Sequence, residues 1–217
     1  MNKDFIADYL DASSRVLNNL DHVALNEIVR VIVSLRERGG RLFILGVGGS
    51  AANAAHAVND FRKLAHIETY APTDNVSELT ARVNDEGWET SFSNWLAGSR
   101  LNANDGIMVF SVGGGDAEKR VSVNLIRALE YAIANGAEVS NNSWGGPSPD
   151  QWMEALIEDG GQVGHVFVTA AGNEDSNNDI IPDYPGSYSS KNIINVMIYM
   201  FWDMGGIWEL QIILQLT

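Results

Sequence analysis

The chain contains no cysteine, which excludes disulfides, thiolate catalysis and cysteine-built metal sites. Basic residues are scarce: 14 Lys and Arg stand against 28 Asp and Glu, a formal net charge of -14. A surface of that sign argues against nucleic acid as a partner, so any affinity for phosphate has to come from local backbone geometry. The opening "MNKDFIADYL" lacks a continuous apolar core, so no secretory signal is expected and a cytoplasmic location is the default. An uninterrupted membrane span is missing too. The apolar ending "VMIYMFWDMGGIWELQIILQLT" is broken by Asp203, Gly205, Gly206 and Glu209, and a charge near the centre of a span costs about 2.5 to 3.5 kcal/mol, so no membrane association is expected.

What remains is a chain of 217 residues, 45% hydrophobic and 19% charged, long enough for one α/β domain with a real core. Residues 4–38 carry apolar positions at helical spacing, among them Ile28, Val29, Val31, Ile32 and Leu35, and the pattern stops at Gly39 and Gly40. "RLFILGV" then reads as a buried strand and "SAANAAHAVNDFRKL" as a helix. Further strands are expected at "IETYA", "GIMVFSV", "AEVSNNSW" and "HVFVTAAG", with helices over 118–134 and in "PDQWMEALIEDG". This alternation predicts a three-layer αβα fold around a parallel sheet, with ligands gathered at the carboxyl ends of the strands.

Two glycine-rich turns fall at such ends, "GVGGS" and "SVGGGD". Gly46, Gly48 and Gly49 let backbone N–H groups converge while Ser50 starts a helix whose positive end favours an anion. The G-x-G-G-S spacing is not that of a dinucleotide fingerprint. On the following helix His56 and Asp60 are four residues apart and share one face.

The stretches "FILGVGGSAANAAHAVNDF", "APTDNVSELTARVNDEGWET" and "VFSVGGGDAEKRVS" resemble the sugar isomerase (SIS) domain family, in its phosphoheptose isomerase branch, over residues 1 to about 131. That resemblance implies a flavodoxin-like SIS fold and binding of a sugar phosphate. Gly48, Gly49, Ser50, Ser111, Gly113 and Gly114 would line the phosphate site, with Asp74, Asn84 and Asp85 near the sugar hydroxyls. It further implies aldose–ketose isomerisation of sedoheptulose 7-phosphate, with Asp60 as the base and His56 with Asp60 as zinc ligands. Asp60 stands where the family usually has glutamate. A homo-oligomer with sites at subunit interfaces is also implied. Two departures matter: the family's serine-rich phosphate loop is here "SVGGGD", with Asp116 adding a negative charge, and no segment matches the C-terminal helix that carries the family's catalytic histidine. Impaired turnover is therefore expected, and a non-catalytic sugar-phosphate-binding or structural hybrid protein is the alternative.

From about Asn124 the chain changes character. "ALEYAIANGAEVSNNSWGG" and "VFVTAAGNEDSNNDIIPDYPGSYSSKNIINV" resemble the middle of a subtilisin-like serine protease, up to residue 196. There Asn173 would be the side-chain donor to an oxyanion hole and "NSWGG", with Ser143, the strand that pairs with substrate. The aspartate, H-G-T-H and G-T-S-M-A motifs of that family are absent, so proteolysis is not expected, and His165 reads as structural. The expected organisation is a sugar-phosphate-binding domain over 1–135, a subtilase-like strand–helix–strand segment over 136–196 that completes the sheet, and an apolar tail over 197–217 that resembles neither family.

Overall fold

In the computed structural model the described residues are 6, 7, 9–11, 14, 22–111, 120–137, 139–142, 149, 151–162, 166–170, 182, 184, 187–190, 193–200 and 210–215. Helix α1 (His22–Glu37) ends where Gly39 adopts φ 70, a left-handed stop that glycine takes without steric cost. Strand β1 (Leu42–Gly46) follows, buried along its whole length, and leads into α2 (Gly49–Lys63). A two-residue strand β2 (Thr69–Tyr70) precedes α3 (Val76–Glu86), whose N-cap Asn75 accepts from the Glu78 N–H. Helix α4 (Ser91–Gly98) leads to β3 (Gly106–Phe110) and α5 (Val123–Ala134). Strand β4 (Val139–Asn142), α6 (Gln151–Gln162), β5 (Val166–Ala170), β6 (Ile193–Met200) and β7 (Leu210–Gln215) complete the described elements.

The seven strands form one sheet in the order β2-β1-β3-β4-β5-β6-β7. All neighbours are parallel except β6 and β7, which pair antiparallel from Asn195 opposite Gln215 to Met200 opposite Leu210. The α/β expectation therefore holds, and the segment read as protease-like continues the sheet begun by the first half, with Val109 of β3 opposite Asn142 of β4.

Side chains along β1 alternate between two cores because successive residues of a strand point to opposite faces. Phe43 and Leu45 join Ile107 and Val109 of β3 under Phe92, Trp95 and Leu96 of α4 and Leu125, Ala128 and Leu129 of α5. Leu42 and Ile44 lie on the other face with Leu35 of α1 and Ala54 and Val58 of α2. Helices on both faces of a mostly parallel sheet make the three layers.

At the amino end of the strands Asp105, 2% exposed, binds Arg41 through two oxygens: Nε to Oδ1 at 3.1 Å and Nη2 to Oδ2 at 2.7 Å. Its Oδ1 also accepts the Arg41 backbone N–H, and its Oδ2 accepts the Asn102 N–H. The guanidinium also donates to the carbonyls of Ser99 and Arg100 and lies 5.0 Å from the Phe43 ring centroid. This cluster joins β1 and β3 at the edge opposite the glycine turns.

Among the described residues no helix is long and apolar enough to cross a membrane. The apolar tail, read from sequence as matching neither family, contributes β7 as the outer strand of the sheet. Two helices, α3 and α4, occupy the stretch between β2 and β3 that sequence reading takes only as a motif-bearing segment.

Candidate functional site

Strand order 2-1-3 reverses direction at β1, so chain connections leave the carboxyl ends of β1 and β3 on opposite sides and open a crevice between them. Gly46 pairs with Phe110, which brings Val47 and Ser111 out of neighbouring strands at the same sheet edge. The first glycine turn and the serine after β3 thus meet at the topological switch point.

Each glycine in the first turn has a distinct reason. A Cβ on Gly46 would stand 2.5 Å from the Ser50 carbonyl oxygen and 2.8 Å from the Ala51 nitrogen, so only glycine lets the strand end pass beneath the first turn of α2. Gly48 has φ 63 and ψ -124, a conformation that L side chains rarely adopt. Gly49 opens α2, and a Cβ on Gly48 or Gly49 would meet nothing within 4 Å. The outer side of the turn is therefore open while its inner side is closed by the helix.

Helix α2 has no side-chain cap. Its first bonds run from the Ala51 and Ala52 N–H groups to the Gly48 carbonyl, at 3.0 and 3.3 Å. The leading N–H groups of a helix have no intrahelical acceptor, and the aligned peptide dipoles make this end positive. Ser50, only 6% exposed, sits in that first turn, and half-buried Ser111 sits across from it at the end of β3. An uncapped helix start beside an open glycine turn can accept an anion from backbone groups alone, consistent with a chain of net charge -14.

Further along α2, His56 Nε2 lies 3.3 Å from Asp60 Oδ2 on the exposed face, with the side chains 78% and 47% exposed. Asn59 Nδ2 donates to Asp60 Oδ1 at 3.3 Å. Eleven residues separate Gly49 from Asp60, about 16 Å of helical rise. His56 and Asp60 supply two donors of the types that hold zinc, but a zinc site needs three or four protein ligands, and among the described residues no group of three His, Asp or Glu side chains converges. The described residues alone therefore do not make a metal centre.

Asp74 is exposed in the turn after β2, where its N–H donates to the Ala71 carbonyl at 3.2 Å. It belongs to the same carboxyl edge as the glycine turn. Asn84 and Asp85 lie in the last turns of α3, both exposed, with Asn84 Nδ2 donating to Asp85 Oδ1 at 2.7 Å. They are nine and ten residues beyond the cap at Asn75, about 14 Å along the helix, so chain position does not group them with the turns. Gly113, Gly114, Asp116, Ser143, His165 and Asn173 lie outside the described residues. One residue that sequence reading passes over is Asn124, fully buried in the first turn of α5 with neither amide atom hydrogen-bonded. Its signal was an asparagine inside the apolar run "VNLIRAL".

The comparisons with known proteins fall on both halves of the chain. A probable phosphoheptose isomerase of Thermoplasma volcanium is 30% identical over 138 residues, which are 61% of this chain and 67% of that protein. The solved structure of a phosphoheptose isomerase from Francisella tularensis superposes with a TM-score of 0.54 at 25% identity, covering 64% of this chain and 73% of the other. The subtilase family model matches residues 80–200. A subtilisin-like protease 2 of Plasmodium falciparum is 32% identical over 80 residues, 35% of this chain but 6% of that much longer protein. The subtilase match begins well before Asn124 and so runs through β3 and α5, where the alternation of buried strand and amphipathic helix suits either parallel fold. The chain belongs to the phosphoheptose isomerase family and, across residues 80–200, to the subtilase family.

Proposed function

We propose that the chain binds a sugar phosphate at the switch point between β1 and β3 and acts on it as an aldose–ketose isomerase of the sedoheptulose 7-phosphate type. The observation that carries this reading is the uncapped, glycine-opened start of α2 set beside Ser111. The phosphate would rest on the N–H groups of Gly49 and Ser50, with the Ser50 and Ser111 hydroxyls as further donors. The sugar would then run along the exposed face of α2 toward His56 and Asp60.

The reaction moves one proton between adjacent carbons. Asp60 as the carboxylate takes it from the hydroxyl-bearing carbon next to the carbonyl while the carbonyl oxygen takes a proton from water, giving an enediol; Asp60 then returns its proton to the former carbonyl carbon as the other enediol hydroxyl releases its proton to water, leaving the aldehyde. Every proton is recovered, so no oxidant or second substrate is required. Zinc on His56 and Asp60 remains part of the proposal only if further ligands come from outside the described residues, and no step depends on it. Asp60 is 47% exposed, whereas a proton moved between carbons needs shelter from water. A second copy of the chain covering the α2 face would supply that shelter, which is the reason to propose a homo-oligomer.

A non-catalytic sugar-phosphate-binding protein is the second reading, favoured by the missing match to the helix that bears the family's catalytic histidine. The subtilase-like segment is proposed to serve the sheet through β4 and β5, without proteolysis. Calorimetric titration with sedoheptulose 7-phosphate tests the binding step: heat of binding that disappears in Ser50→Asp supports it, and equal heats for both proteins overturn it.

A further inference from the structure

Asn124 has 0% of its surface exposed, and neither its Nδ2 nor its Oδ1 has a hydrogen-bond partner. An unpaired buried amide is costly, and native chains hold few of them. Apart from exposed Arg127, the first two turns of α5 around it are apolar and buried at Val123, Leu125, Ile126, Ala128 and Leu129, so a leucine at 124 would suit the helix better. Something other than stability keeps the amide there.

The segment that leads into it is strained. Arg120 and Ser122 have φ 57 and φ 48, the left-handed region that non-glycine residues seldom enter, and Ser122 caps α5 without a side-chain hydrogen bond. Helix α5 is also the element that follows β3, whose last residue pairs with Gly46 and whose carboxyl end carries Ser111. An unsatisfied amide and a strained, uncapped helix start therefore follow the strand that ends at the switch point.

We propose that Asn124 is a positioning residue of the sugar-phosphate site, an assignment that rests on the sugar-phosphate reading above. One side-chain amide offers a donor and an acceptor, the complement of one peptide unit. On ligand binding its Nδ2 and Oδ1 take a backbone carbonyl and N–H at the start of α5 and hold 120–122, so that the start of α5, which like that of α2 follows a strand of the β1–β3 pair, faces the anion held by Gly49 and Ser50. Because Asn124 is wholly buried, it acts through that backbone and does not touch the ligand.

The test is a pair of full-length variants, Asn124→Leu and Asn124→Ser, measured for thermal midpoint and for sedoheptulose 7-phosphate affinity by calorimetry. The expected result is a midpoint for Asn124→Leu equal to or above that of the parent chain, with affinity at least ten-fold weaker, and a smaller loss for Asn124→Ser, which keeps a hydroxyl. A role in stability alone would lower the midpoint and leave affinity unchanged. If Asn124→Leu does not fold, Asn124→Ser decides by itself. Affinity equal to the parent in every folded variant overturns the Asn124 assignment and leaves the binding reading standing, whereas a parent chain that does not bind overturns both.

Discussion

Arg41 and Asp105 tie β1 to β3 at the amino edge of the sheet, as Gly46 opposite Phe110 ties them at the carboxyl edge. The carboxylate accepts from the Arg41 side chain, the Arg41 backbone and Asn102, so its charge is fully answered although it is 2% exposed. Removing one partner of such a pair strands the other, at a cost of about 3 to 5 kcal/mol when both are buried. Arg41 is partly exposed, so Asp105→Ala is expected to cost about 3 kcal/mol by urea denaturation. Arg41→Lys should recover little, because an ammonium cannot make the forked contact. The hydrogen bonds that Arg41 donates to Asp105 raise the Arg41 pKa above its already high ordinary value. That contribution is complete below the unfolded value and is lost only as pH rises through the folded one, so the effect of Asp105→Ala should not vary between pH 5 and 8.

Gly46 and Gly48 separate two kinds of glycine requirement. Gly46→Ala pushes a methyl into the backbone of Ser50 and must displace the start of α2, so it is expected to lose both stability, by about 1 to 3 kcal/mol, and sugar-phosphate binding. Gly48→Ala meets open space but bears the strain of φ 63, also about 1 to 3 kcal/mol. Denaturation midpoints measured beside binding distinguish them: binding corrected for unfolded protein falls further in Gly46→Ala.

A charge placed at the helix start tests the anion directly. Ser50→Asp suits the dipole of α2 but puts a charge at a position only 6% exposed, so a lowered thermal midpoint is expected, while its carboxylate repels phosphate. Inorganic phosphate should raise the midpoint of the parent chain in a concentration-dependent way and leave that of Ser50→Asp unmoved.

Tyr70 offers a pH observation at the edge strand. Its hydroxyl donates to Glu68 Oε1 at 2.9 Å, and that hydrogen bond, followed by burial, raises its pKa above the ordinary tyrosine value of 10.0. The small stabilisation is present below the unfolded pKa and is lost as pH rises through the folded one. Ultraviolet titration of the parent chain against Glu68→Gln should show one tyrosine ionising at lower pH in the variant.

The first half of the chain was legible because pattern and punctuation agree there. The run "RLFIL" is continuous, Gly39 and Gly40 stop the preceding helix, and the turn glycines stand where β1 ends. Helix α4 was harder: Phe92, Trp95 and Leu96 carry helical spacing over only eight residues, too few for periodicity to separate a helix from a buried strand. Strand β6 straddles the end of a polar loop and the start of the apolar tail, so neither composition marks it. The candidate site was legible in its glycines and in the His56–Asp60 spacing. The Arg41–Asp105 pair joins residues 64 apart and has no local sequence signal, while the asparagine inside "VNLIRAL" marks Asn124 without showing that its amide is unpaired, which is a property of burial.

The central proposal is that the chain isomerises a sugar phosphate, with turnover lowered by the missing match to the family's C-terminal catalytic helix, and phosphorus NMR of the protein with sedoheptulose 7-phosphate tests it most directly. The account predicts a new aldose phosphate resonance that grows with time, is lost in Asp60→Asn, and leaves that variant still able to broaden the substrate line. A substrate line that broadens without product in the parent chain would contradict catalysis and favour the binding protein. An unperturbed line would contradict the sugar-phosphate site itself.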